Sequence, residues 1–411
     1  MVSPPGNRTE IGVTGIEARV THLRQARTKR GLTPFGAFWC HNRGVSGVDD
    51  LALAERLIGF DTSTEDGIRS AVGFLLGWLE GQAIRHEVTE VNGRPAVVAT
   101  VGEGPKTLIL SAHVDVVPGD PAQFEPRRDN GYLYGRGAYD MKGALAAMLG
   151  ALVDLAAAPQ HLQGMRVKLL IAPDEESDAE TLNTKATARL ADAGNLGEFA
   201  ICGEPTDLQI GVQAKGALVV RFEVRGRAAH GSTPWLGENA VLKAIDLYRR
   251  IGDLPFASER SELFDGPSVS LGRIAGGKAV NAVPDTCRID VDIRHLPTQD
   301  PADVMHQLRT LHPEPELLYQ VPAAQLNPYD DHVKLLRHVV REHREGRAIG
   351  VGRHGASDAV LFLQRGIPSV EFGPAGAGHH GPEEHVEIAS LATYRRILVG
   401  FARAMADPPA A

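Results

Sequence analysis

Five short stretches of this 411-residue chain bring together side chains that bind metals or move protons. His113-Val-Asp115 directly follows the apolar run at 107–112. A histidine two residues from a carboxylate is either a metal ligand with an orienting partner or a hydrogen-bonded pair with no further duty. Gly135-Arg-Gly-Ala-Tyr-Asp140-Met-Lys-Gly143 is a glycine-rich turn opening into an Ala- and Leu-rich stretch. It lacks G-x-G-x-x-G and the Gly-Lys-Ser/Thr ending of a phosphate cradle. Asp140 therefore enters a site from the head of a helix or simply caps it, since an anion is favoured there in either case. Ala172-Pro-Asp174-Glu175-Glu176-Ser177 sets three carboxylates in a row, an arrangement that repels itself unless solvated or offset by a cation. Gly203-Glu204-Pro-Thr206 follows the run at 199–202, and His379-His380-Gly-Pro-Glu383-Glu384 follows the run at 369–372.

The elements that must position these residues are short apolar runs at 96–101, 107–112, 166–172, 199–202 and 369–372, read as strands of a mainly parallel sheet. Between them lie helical stretches at 49–58, 65–80, 140–158 and 332–343. This alternation predicts an α/β sandwich, in which ligands collect at the carboxyl ends of the strands. Between 208 and 321 the rhythm changes to strand 217–224, helix 239–251, strand 268–274, strand 287–293, helix 301–311, strand 316–320. That order is the β-α-β-β-α-β of a ferredoxin-like module, here inserted into the larger domain. The organisation expected is a basic, poorly ordered extension at 1–47, a catalytic domain in two parts at 48–207 and 322–405, and the inserted domain at 208–321. The extension carries Arg8, Arg19, Arg24, Arg27, Lys29, Arg30 and Arg43 without an apolar segment behind them, so it does not read as a secretory signal.

Composition removes other classes of protein. Hydrophobic residues at 43% and charged residues at 23% are a globular balance. A net charge of −8 disfavours nucleic acid, whose phosphates need clustered Lys and Arg. Cys40, Cys202 and Cys287 are odd in number and widely spaced, which fits a reducing cytoplasm and no disulfide framework. The apolar run at 144–158 is interrupted by Asp154 and is too short to span a membrane. Two imidazoles and three or four carboxylates delivered by separate strand ends and turns suit a pair of borderline cations such as Zn²⁺.

Taken together, the five motifs resemble the two-zinc amidohydrolases that include acetylornithine deacetylase, succinyl-diaminopimelate desuccinylase, aminoacylase and glutamate carboxypeptidase. The resemblance runs from about Asp50 to Met405, with the motifs in the family's order. It implies that His113, Asp140 and Glu204 hold one zinc and Asp140, Glu176 and His380 the other, Co²⁺ or Mn²⁺ being possible substitutes. Glu175 is then the general base and Asp115 the residue that orients His113. His380 is preferred over His379 because the family's ligand precedes a Glu by four residues, which selects Glu384. Gly226-Arg-Ala-Ala-His230-Gly-Ser-Thr-Pro234 resembles the segment whose histidine stabilises the oxyanion in the partner subunit, implying a homodimer joined through the inserted domain. Asn281 and Arg294 match positions that bind the substrate's carboxylate.

The implied reaction is hydrolysis of the amide bond of an N-acyl amino acid in the cytoplasm. A carboxypeptidase or dipeptidase on the same scaffold and a non-catalytic metabolite- or partner-binding relative are the alternatives. Three features depart from the family: Asp178-Ala-Glu180-Thr-Leu-Asn183 replaces its Gly-rich turn, Ala356 replaces a substrate-binding Thr, and the basic extension has no counterpart.

Overall fold

The computed structural model describes residues 47–177, 182–344, 350–355 and 357–407. All but the last residue of the basic extension expected at 1–47 lies outside the described residues, as do 178–181 and Ala356.

The large domain is built on one eight-stranded sheet. Its central strands run in the order Arg85–Val91, Arg94–His113, Phe199–Cys202, Ser369–Glu371, Ile210–Ala214, Ala324–Gln325. Gln163–Ala172 pairs with the second of these and Gly350–Arg353 with the fifth. Four strands around the site are parallel, Gln163–Ala172, the second arm of Arg94–His113 at 106–113, Phe199–Cys202 and Ser369–Glu371; the first arm, at 97–102, lies antiparallel on the other side of Gln163–Ala172. Antiparallel pairings flank them, so the sheet is mixed at its edges and parallel where the candidate residues emerge.

Both faces are covered, which is why the strands read as nearly continuous apolar runs. Along Arg94–His113 the residues Val97, Ala99, Leu108 and Leu110 join one hydrophobic core, while Ala96, Val98 and Ile109 join another on the opposite face. The first core is completed by helices Asp50–Ile58, Glu65–Gly81, Gly143–Ala157, Asp331–His343 and Ile388–Ala406. The second is completed by Ala186–Asp192 and Ala359–Gln364. Gly143–Ala157 is buried on every side through Leu152, as the lack of any polar side chain before Asp154 demands. Asp49 caps the first helix through the Ala52 N–H and Thr64 the second through the Gly67 N–H.

The inserted module has the expected β-α-β-β-α-β order: Gly216–Arg225, Ala240–Ile251, Ser268–Gly276, Thr286–His295, Pro301–Leu311, Glu316–Val321. Leu218, Val220 and Phe222 face the two helices together with Ile289, Val291 and Ile293, while the alternate residues point away. The module begins at Gly216 and not at Leu208, because Ile210–Ala214 belongs to the large sheet. The outgoing and returning chains are paired on both sides of the junction, Ala214 with Ala324 and Ala217 with Val321. A small apolar cluster containing all four residues packs there. No helix among the described residues is long and apolar enough to cross a membrane.

Candidate active site

Each of the four parallel strands hands a candidate residue to the same edge of the sheet, where an α/β sheet collects ligands. His113 is the last residue of Arg94–His113. Glu175 and Glu176 follow Gln163–Ala172, Glu204 follows Phe199–Cys202, and the loop carrying His379 and His380 follows Ser369–Glu371. Asp140 reaches the same place from the turn ahead of Gly143–Ala157, through an Asp140-Met141 peptide that is cis. Gly137 in that turn has φ of 80°, and a Cβ there would lie 2.7 Å from Val116. Its glycine thus lets the backbone pass close to the sheet and does not form a phosphate cradle.

The carboxylate of Asp140 is shared between two sets of neighbours. Its Oδ1 lies 3.1 Å from His113 Nε2, and Glu204 Oε1 lies 3.9 Å from the same nitrogen. Its Oδ2 meets His379 Nε2 and lies 3.3 Å from His380 Nε2, which is also 2.9 Å from Glu176 Oε1. Three overlapping groups form in this way: His113 with Asp140 and Glu204, Asp140 with His379 and His380, and His113 with Glu175 and Glu176. In each, one donor atom per residue lies within 4.8 Å of the others. The structure therefore brings together His113, Asp140, Glu175, Glu176, Glu204, His379 and His380.

The chemistry of this donor set suits cations. His113 Nδ1 lies 3.0 Å from the Asp115 carbonyl, so it is the donor and Nε2 turns its lone pair toward two carboxylates. Such an arrangement is repulsive unless a proton or a metal ion sits between. Burial opposes the charging of His113, but Asp140, Glu204 and Asp115 outweigh it and hold the imidazole well above its usual range. Burial and the nearby Asp140 push Glu204 well above the usual carboxylate range. Burial likewise pushes Glu175 up to about 8 against the pull of the Lys185 ammonium. The cluster thus carries more negative charge than its surroundings solvate, and bound cations relieve that excess.

Several contacts position these groups. The Asp115 backbone carbonyl accepts from His113 Nδ1, while its carboxylate is 3.7 Å from that nitrogen. That carboxylate instead accepts the N–H groups of Glu175 at 3.2 Å and Glu176 at 2.8 Å, pinning the acidic turn. Lys185 donates to the Glu175 carbonyl, with Nζ 4.0 Å from Glu175 Oε1. Glu384 is buried and accepts the N–H groups of Tyr139 and Asp140, each at 3.0 Å, on Oε1. Its Oε2 takes Arg136 Nη1 at 2.7 Å, and Arg136 Nη2 reaches the His380 carbonyl at 3.2 Å. This latch ties the turn of Asp140 to the loop of His380. In the sequence the spacing of Glu384 served only to choose between two histidines, and nothing marked Arg136 or Lys185.

The remaining candidates sit on the inserted module. His230 is exposed and bridges to Ala282, with the Gly231 N–H donating to the Asn281 carbonyl at 2.7 Å, so His230 and Asn281 are neighbours. The Ser232 N–H donates to His230 Nδ1 at 3.2 Å, which leaves the proton on Nε2. Arg294 is held in a two-pronged pair by Asp292, Nε to Oδ1 at 2.8 Å and Nη2 to Oδ2 at 2.9 Å.

An α/β body with an inserted ferredoxin-like module and a shared aspartate between two imidazole–carboxylate groups defines a class of dinuclear metal-dependent hydrolases. Residues 109–404 match the family model of Peptidase family M20/M25/M40, and the chain belongs to that family. It is a metal-dependent amidohydrolase. Among its relatives is the succinyl-diaminopimelate desuccinylase of Gluconacetobacter diazotrophicus, 30% identical over 374 residues, covering 85% of this chain and 95% of that one. The fold is shared with a tripeptidase from Staphylococcus aureus at a TM-score of 0.73 and 23% identity, covering 87% of this chain and 98% of the other. It is also shared with a dinuclear metal-binding M20 peptidase from Bacillus subtilis at a TM-score of 0.60 and 17% identity, covering 87% and 99%.

Proposed function

We propose that the protein is a deacylase that hydrolyses the amide bond of an N-acyl amino acid. The observation that carries this reading is the two-sided carboxylate of Asp140, which faces His113 on one oxygen and His379 and His380 on the other. His113, Asp140 and Glu204 hold one ion and Asp140, Glu176 and His380 the other, two Zn²⁺ per subunit, with Co²⁺ or Mn²⁺ as substitutes. When bound, such ions polarise the scissile carbonyl and acidify water. Glu175, with a carboxylate oxygen within 4.8 Å of donor atoms of His113 and Glu176, takes the proton of the attacking water and delivers it to the leaving amine nitrogen. His230, protonated on Nε2, donates to the oxygen that gains negative charge.

His230 is exposed on the inserted module, which supports its acting across the interface of a homodimer formed through that module. Trp235 at 74% exposure and the fully exposed Val280 nearby fit such an interface. Asn281 and Arg294 bind the substrate's carboxylate, Arg294 by exchanging its Asp292 partner for the ligand. The buried free thiols Cys202 and Cys287 support a cytoplasmic location and a role in amino-acid metabolism there.

The test is metal analysis of the chelated and reconstituted full chain, followed by a panel of N-acetyl amino acids, N-succinyl amino acids and dipeptides. Two ions per subunit and preferential release of amino acid from the N-acyl compounds are expected. Preferential cleavage of dipeptides would replace this reading with the dipeptidase or carboxypeptidase one, and a reconstituted protein inert on the whole panel would overturn both.

A further inference from the structure

Arg294 can reach a substrate carboxylate only by giving up Asp292, which holds both of its prongs. A second arginine stands in the large domain in a different condition. Arg353 ends the strand Gly350–Arg353, and its Nε donates to Glu371 Oε2 at 2.8 Å. Glu371 is buried and takes the Ser357 hydroxyl at 2.7 Å on its other oxygen. To reach Glu371, the stem of Arg353 crosses the strand Ile210–Ala214 at Gly211. A Cβ on Gly211 would lie 3.2 Å from Arg353 Cγ and 3.0 Å from Glu371 Cβ, so the missing side chain is what clears the path.

Beyond Nε the guanidinium makes no hydrogen bond from either terminal nitrogen to the described residues. The side chain as a whole is 26% exposed. Its partner Glu371 pairs across the sheet with Cys202, two residues ahead of the candidate metal ligand Glu204. An arginine fixed by one nitrogen and open at the other two presents a planar donor edge matched to a carboxylate. Glu371 orients that edge and Gly211 lets it through.

Resting on the deacylase reading, we propose that Arg353 is a specificity-determining residue whose free guanidinium edge binds a carboxylate of the substrate. Two sources share that chemistry: the α-carboxylate of the amino acid and the distal carboxylate of a dicarboxylic acyl group such as succinyl.

The experiment compares the reconstituted full-length enzyme with Arg353→Met and Arg353→Lys on three substrates of one amino acid: the N-acetyl acid, the N-succinyl acid and the N-acetyl carboxamide. Losing a charge-assisted pair raises KM by about 10- to 100-fold with kcat nearly unchanged. A rise on both acids but not the carboxamide assigns Arg353 to the α-carboxylate, and a rise on the N-succinyl acid alone assigns it to the acyl group. An equal change on all three substrates, or none, overturns the proposal. Arg353→Lys keeps a cation for Glu371, so it preserves the fold if Arg353→Met does not. It should keep the pattern of discrimination at reduced strength. If the wild-type enzyme prefers dipeptides, the deacylase reading fails by itself, and the same comparison on a dipeptide and its C-terminal carboxamide still decides Arg353.

Discussion

The latch of Arg136 and Glu384 makes a prediction with two separable parts. The side chains are 4% and 1% exposed, so Glu384→Leu leaves a buried guanidinium without its anion and strips the acceptor from the N–H groups of Tyr139 and Asp140. Breaking a buried pair from one side costs ~3–5 kcal/mol, which at ~2–4 °C per kcal/mol lowers the melting temperature on the order of 10 °C. Disturbing a residue that orients metal ligands lowers metal affinity by about 10- to 100-fold. The double variant Arg136→Met with Glu384→Leu replaces the ion pair by an apolar pair and should recover much of the stability, since such replacements are often neutral. It restores no acceptor to Tyr139 and Asp140, so the affinity stays low. Thermal melts of the chelated protein read the first quantity, and calorimetric titration with Zn²⁺ reads the second. If the double variant bound zinc as tightly as wild type, the latch would be a stabilising contact alone and its role in holding Asp140 would be refuted.

Glu175→Ala should keep its metal content by elemental analysis while turnover falls by about 10²–10⁴-fold; an active variant removes Glu175 as the base. His230→Ala should lower kcat by about 10²–10³-fold with metal content and melting temperature unchanged, and an unaffected kcat would count against the oxyanion role. Chelation should lower the melting temperature by an amount that grows with the free-metal concentration it replaces, ~4 kcal/mol at a thousandfold excess over Kd. A melt indifferent to chelator would speak against a metal centre. Gly77→Ala meets nothing within 4 Å and should stabilise the helix Glu65–Gly81 by ~0.5–1 kcal/mol. Gly150→Ala should do the opposite, as its Cβ would lie 2.3 Å from Asp50 Oδ1, and denaturant midpoints of the two variants check the contrast.

The inserted module was legible because its central strand Thr286–His295 alternates apolar and polar residues from Cys287 to Arg294, and because its helices are capped by Asn239 and Asp300. Strand ends carrying His113, Glu204 and the acidic turn were legible for a related reason: a short run buried on both faces stops where polar residues begin. Arg85–Val91 was missed because it is an exposed edge strand with only Val91 buried. Residues 96–101 and 107–112 were read as two strands, and they flank Gln163–Ala172: the register runs from Val97 opposite Ile171 to Gly102 opposite Arg166, then back from Thr107 opposite Arg166 to Ala112 opposite Ile171. Gly102 and Gly104, at φ of 75° and 150°, sit where the chain turns back between those two arms. The strands Arg127–Asp129 and Tyr132–Tyr134 are too short for any period to show. Arg136 and Glu384 stand 248 residues apart, and no local pattern announces a contact over that distance.

The paired junction of the inserted module has a consequence for how this chain can be taken apart. Ala214 lies opposite Ala324 and Ala217 opposite Val321, so everything between leaves and returns along one two-stranded ribbon. Segments attached at adjoining points are the ones that proteins exchange and delete most readily. The module is a cassette with a single seam: a short turn in its place would close the gap, and every imidazole and carboxylate gathered around Asp140 would remain on the body left behind.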